Sequence, residues 1–215
     1  MGAGTLGSNT TGSDNIAIGN NVLSNNTGSE NIALGVNALV NNSSGGANIA
    51  IGTFALDGNS TGSNNIALGA SAGFGNTVGN NNIGIGFQAL SNSNGRANRN
   101  IALGYQAGMN LGTGSNNMCI GNVGVSSDEN ATRIGNVRTT NTYIAGISGV
   151  TVAGGVGVVI DTTGHLGTVT SSARSKEAIR PMGDASDTIL SLKPVTFRYK
   201  KELDSKATPS VRPCR

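Results

Sequence analysis

A five-residue anchor recurs along the first two thirds of the chain in near-constant register. It reads NIAIG at 15–19, NIALG at 31–35, NIAIG at 48–52, NIALG at 65–69, NIGIG at 82–86, NIALG at 100–104 and NMCIG at 117–121. Its closing glycines are spaced by 16, 17, 17, 17, 18 and 17 residues, and a degenerate eighth copy, ATRIGN, stands at 131–136. A period this short is too small for a strand–helix–strand crossover, so it predicts short strands stacked coil on coil at about 4.8 Å per rung. Seven coils make a rod on the order of 30 Å long.

Within an anchor the order is apolar, small, apolar, Gly. In an extended strand Ile16 and Ile18 share one face, while Asn15, Ala17 and Gly19 share the other. A second apolar step follows at Ala38-Leu39, Ala55-Leu56 and Ala89-Leu90, and polar stretches such as NNTGSE lead to the next anchor. Those stretches supply the positive φ angles and side-chain-to-backbone bonds of tight corners. The expected core is one Ile/Leu pair and one Ala-Leu step per coil. Such a core is thin, which predicts that apolar surface or a sheet edge is covered by copies of the same chain, as a closed symmetric trimer.

Composition sets further limits. With 34 Gly, no Trp and 3% aromatic residues in 215, a wide core of large side chains is out of reach. Residues 1–170 carry four basic and six acidic residues, whereas 171–215 carry ten basic and five acidic ones and all four prolines. That shift marks a boundary near 170. The basic excess lies in a short tail without interleaved aromatics, which argues against a nucleic-acid partner. Anchors held in register exclude a low-complexity linker. The coils lack the repeating Asp of calcium-binding rolls, and Thr does not recur at one place, which excludes a threonine ladder. Cys119 takes an alanine-like position and is expected to be a small buried thiol. Neither cysteine has metal-ligand spacing, and no cofactor is expected. No secretory signal opens the chain and no apolar run is long enough to span a membrane. Because Met1 runs straight into repeat, the chain reads as a fragment.

The expected organisation is all-β: a β-roll or β-solenoid over 1–136, a β-rich neck over 137–170 and a small α+β segment over 171–215. Alternation in TYIAGI and VGVVID marks short strands of the neck, and DTTGH marks a turn holding the single histidine, His165. His165 has no Ser, Cys or carboxylate cluster at motif spacing and reads as a turn residue.

Two resemblances add to this. Residues 8–136 resemble the head repeats of trimeric autotransporter adhesins, whose SVAIG-type anchors form β-rolls packed as trimers. From His165 to Leu203 the blocks SSARSKEAI, PMGDASD and LKPVTFRYK resemble the start of the endosialidase-type intramolecular chaperone, a self-cleaving Ser–Lys peptidase family of tail-fibre-like proteins. That resemblance implies a C-terminal segment that assembles three chains and then cuts itself free, with Ser171 as nucleophile and Lys176 as base. Arg174 takes a structural or charge-pairing role, and Ser172 and Ser175 stand outside the dyad. A serine hydroxyl needs such a base, and a lysine serves when burial lowers its pKa; spacing alone does not establish the pair. A helix is expected over Asp184–Leu192, capped by Asp184 or Ser186. After Leu203, DSKATPSVRPCR departs from the family pattern, which predicts a truncated chaperone.

The function expected from these readings is a trimeric fibre with a self-processing assembly segment. The alternative is a purely structural or adhesive fibre with an inert tail. Charges are too sparse to identify the paired carboxylates of a glycan-degrading tailspike. The expected setting is extracellular, on a cell surface or a virion tail fibre, with a cell-surface or glycan receptor.

Overall fold

A computed structural model of the chain describes residues 2–93, 95–145 and 157–168. The chain divides into two units, Met1–Ile144 and Ala145–Arg215. The first is a β-solenoid. Its strands are β1 (Ile16–Ile18), β2 (Ile32–Leu34), β3 (Ile49–Ile51), β4 (Ile66–Leu68), β5 (Ile83–Ile85), β6 (Ile101–Leu103), β7 (Met118–Ile120) and β8 (Thr132–Ile134). They form one parallel sheet in chain order. Every anchor is one strand, and the degenerate eighth copy is β8. The register is residue for residue, with Ile32 opposite Ile49 and Ala33 opposite Ala50. No helix occurs among the described residues.

The strand middles point into the roll. Ala33, Ala50, Ala67 and Ala102 are buried, with Leu23, Leu39, Leu56 and Leu90 from the second step packed opposite. Cys119 takes the place of these alanines and is buried, as expected; burial also pushes its thiol pKa up. The flanking Ile and Leu residues point out of the roll, so the core is not the one read from the sequence. Strand and opposing segment enclose a single layer of side chains. A Leu on one wall leaves room for Ala on the other, not for a second Ile.

Those leucines sit in the left-handed backbone region, Leu39 at φ 51° and Leu56 at φ 50°, where the sequence reading put only Gly and polar corners. The conformation costs about 1–2 kcal/mol. Full burial of a Leu side chain contributes about 1.5–3 kcal/mol, which offsets it.

Asparagine holds the corners in two buried columns. In the first, the anchor Asn of each coil accepts from the backbone of the next: Asn48 N–H donates to Asn31 Oδ1 at 3.0 Å and Asn65 N–H to Asn48 Oδ1 at 2.9 Å. In the second, Asn42 Nδ2 donates to Asn26 Oδ1 at 2.6 Å and Asn59 Nδ2 to Asn42 Oδ1 at 2.7 Å. The columns meet at Gly62, whose carbonyl accepts from Asn48 Nδ2 and Asn59 Nδ2 at 2.8 and 2.9 Å. No buried side-chain polar atom among the described residues lacks a partner, so this polar interior escapes the usual desolvation cost. Glycine is needed at such corners by close approach: a Cβ on Gly62 would run into the carbonyl oxygen of Gly79.

In the second unit the described part is a hairpin of β9 (Val158–Ile160) and β10 (Leu166–Thr168), paired antiparallel. Its turn is tied by Asp161, whose Oδ1 accepts from the Thr163 hydroxyl at 2.6 Å, Thr163 N–H at 2.8 Å and His165 N–H at 3.0 Å. These bonds, the Thr163 hydroxyl first, lower the Asp161 pKa. His165 is an exposed turn residue, in line with the sequence reading.

Candidate functional site

The feature of the roll that the described residues leave uncovered is the outward face of the sheet. Period-2 alternation with an inward alanine forces both flanking residues outward. Stacking in register then lines them up as two columns running from Ile16 and Ile18 to Thr132 and Ile134. Apart from Thr132, every position in these columns is Ile, Leu or Met. They are partly or largely open to solvent, Ile16 by 52% and Ile51 by 40%. A contiguous aliphatic stripe of this length is what marks an interaction surface on a soluble domain.

Beside the stripe, the residues that follow the strand-closing glycines add Val36, Phe87 and Tyr105, all exposed. Phe87 and Tyr105 stack with ring centroids 5.6 Å apart and planes 14° apart. The next residues, Gln88 and Gln106, join their amides, Gln106 Nε2 donating to Gln88 Oε1 at 2.9 Å.

The hairpin presents the same situation on a smaller scale. Val158, Val159, Ile160 and Leu166 are 46–67% exposed. Successive strand residues face opposite ways, so both faces of this two-stranded ribbon are apolar.

Chemistry is sparse in the described residues. No group of three or more His, Cys, Asp or Glu side chains is placed to hold a metal ion, and no helix is long and apolar enough to cross a membrane. An open groove of about 570 Å3 between Met109 and Val125 is lined by no titratable side chain. Ser171 and Lys176, the sequence-derived dyad, lie outside the described residues, as do Arg174, Ser172, Ser175 and the helix expected over Asp184–Leu192. The structure therefore adds no geometry to the dyad.

Residues 171–211 match the Peptidase_S74 family, the chaperone of endosialidase. No curated protein and no solved structure matches the chain. The chaperone match opens at Ser171, where the charge balance changes, and includes Lys176. It runs on to residue 211, past Leu203, where the sequence reading had the family pattern break off. A β-solenoid followed by a chaperone-of-endosialidase segment gives the chain a fibre-like architecture.

The two asparagine columns were not singled out in the sequence reading, which assigned polar residues to corners as a class. Their signal was present: an Asn at the head of every one of the seven anchors, and another about ten residues ahead of the closing Gly at Asn42, Asn59 and Asn76.

Proposed function

We propose that the chain is the subunit of a homotrimeric fibre, and that its C-terminal chaperone segment directs assembly and then cleaves itself next to Ser171. The observation that carries the trimer is the uncovered Ile/Leu stripe, which three copies around a common axis bury against one another. Closed symmetry suits a straight stripe, since it leaves no copy with an unpaired face. The doubly apolar hairpin supports the same reading, because an isolated two-stranded ribbon is marginal in water.

Assembly needs help because β pairing between chains is non-local and slow. A chaperone segment that aligns the ends meets that need, and its removal leaves a fibre that reverses slowly, a kinetic trap. In the cleavage step Lys176 takes the Ser171 hydroxyl proton and Ser171 Oγ attacks the neighbouring carbonyl. The leaving amine takes that proton, and water then hydrolyses the ester.

Light scattering on the purified full chain tests assembly: the expected mass is three times that of the 21.4 kDa chain, less any released tail. A folded monomer sinks the trimer. Mass spectrometry tests cleavage, with fragments meeting near residue 170 in the parent and intact chain in Ser171→Ala and Lys176→Ala. Cleavage that survives Ser171→Ala removes that residue as nucleophile. A stable trimer that never cuts itself supports the second reading, a structural or adhesive fibre with an inert tail.

The setting that suits such a fibre is extracellular, on a cell surface or a virion tail. The stacked Phe87–Tyr105 pair beside the Gln88–Gln106 amides is the kind of uncharged surface that a neutral glycan receptor contacts. Binding on a glycan array that is unchanged in Tyr105→Ala would remove that assignment.

A further inference from the structure

Seven strands of the roll turn a small residue inward, namely Ala17, Ala33, Ala50, Ala67, Gly84, Ala102 and Cys119; the eighth turns in Arg133. A second exception falls on the same rung. The corner column of Gly12, Gly28, Gly45, Gly62, Gly79, Ala97 and Gly114 ends in Asp128. Arg133 Nε and Nη2 donate to Asp128 Oδ2 and Oδ1, both at 2.6 Å. Asp128 Oδ2 also accepts from Val125 N–H at 2.9 Å, and its backbone carbonyl accepts from Asn117 Nδ2 at 3.2 Å, which closes the anchor asparagine column. The Asp128 side chain is 6% exposed and that of Arg133 is 40% exposed. Directly beneath, on the preceding strand, Cys119 is fully shielded.

An ion pair with one buried and one partly exposed partner is weak evidence for stability, because desolvation of the first and solvent screening of the second cancel most of the attraction. Gly and Ala at these two places would simply have continued the roll. What the pair does achieve is to put an inward charge on the last strand of the sheet, a known means of blocking strand addition at an edge. We infer that Asp128 and Arg133 form a plug that closes the roll at β8. The plug keeps solvent from Cys119 and stops a strand of a second copy from stacking on β8.

Cys119 is a built-in reporter once the other cysteine, Cys214, is replaced by serine. In the full-length Cys214→Ser chain, Cys119 is expected to react slowly with Ellman's reagent. Arg133→Ala and Arg133→Met should each raise the rate by about tenfold or more through local opening at the end of the roll. The Met variant retains much of the aliphatic stem and removes the guanidinium, with its charge and its two hydrogen bonds to Asp128. Leu39→Ala, which weakens a distant coil, should leave the rate unchanged, since each repeat contacts only its neighbours. Equal rates in parent and Arg133→Ala, or equal acceleration by Leu39→Ala, would overturn the shielding role. The double variant Asp128→Gly with Arg133→Ala restores the residues of the other rungs. By light scattering it should form species larger than the parent's own mass, increasing with concentration. If it keeps the parent's mass at every concentration, the plug does not block stacking. The comparison is with the parent's mass, so it is independent of whether the parent is a trimer.

Discussion

The roll and the hairpin are built from the same kinds of residue, yet one is self-sufficient inside and the other is not. In the roll each strand finds a wall opposite it, and Ala, Leu and Asn fill the gap with every buried polar side chain paired. The hairpin has no second layer among the described residues, and its Val and Ile side chains stay open on both faces. The outward side of the roll behaves like the hairpin, not like its own interior. Burial here follows from whether a segment returns to face the strand, and not from how apolar the strand is.

The interior half of that contrast is the easiest to break. Gly62→Ala puts a methyl group against a backbone carbonyl of the next coil, and backbone cannot step aside as a side chain does. A loss of about 4 kcal/mol is expected, at the severe end for overpacking, read from urea unfolding of the full chain. Leu39→Ala removes the buried side chain opposite the alanine wall and should cost about 3 kcal/mol by the same measurement. Next comes Asn48→Ala. It leaves Asn65 N–H without its acceptor and deprives the Gly62 carbonyl of one of two donors, and about 2 kcal/mol is expected. A variant at wild-type stability would mean that water replaces the column at no cost.

Those interior positions differ in how far they could be read in advance. The anchors gave away the strands, their parallel order and their register, because a constant period leaves only one way to stack. Cys119 could be placed through its alanine alignment. Which side of each strand faces in could not be read, since alternation defines two faces without naming the buried one. The Ile pair looked like core by hydrophobicity, but the width of the roll excludes it. Leu39 at a positive φ was also illegible, because local preference argues against it and only burial explains it. Ser171 and Lys176 rest on the sequence and the family match alone, since both lie outside the described residues.

The exterior half calls for a different readout. The pair Ile49→Ser and Ile51→Ser should leave each coil's own packing within about 0.5 kcal/mol per site while shifting the chain towards monomer in light scattering. An unchanged assembly mass would move the contact away from the stripe.

The smallest effect expected is that of acid on the end of the roll. The hydrogen bond from Arg133, helped by the Val125 N–H and opposed by burial, holds the Asp128 carboxyl below its ordinary value of 3.8. A depressed carboxyl contributes stability above that ordinary value and loses it as the pH falls through the lowered one. Arg133 keeps its charge throughout. Parent stability should therefore fall between about pH 5 and pH 2 by more than that of Asp128→Asn, measured as urea midpoints. Parallel curves would assign the acid loss to other carboxylates.

The residue-for-residue register has an evolutionary consequence. Ile32 opposite Ile49 and Ile49 opposite Ile66 are each 17 residues apart, so a duplication or deletion of about 51 nucleotides adds or removes one whole rung in frame. Every rung contacts only its neighbours, and the new junction repeats one that already exists. The length of the rod is thus a quantity that recombination between repeats changes in steps of about 4.8 Å, without redesign of any contact.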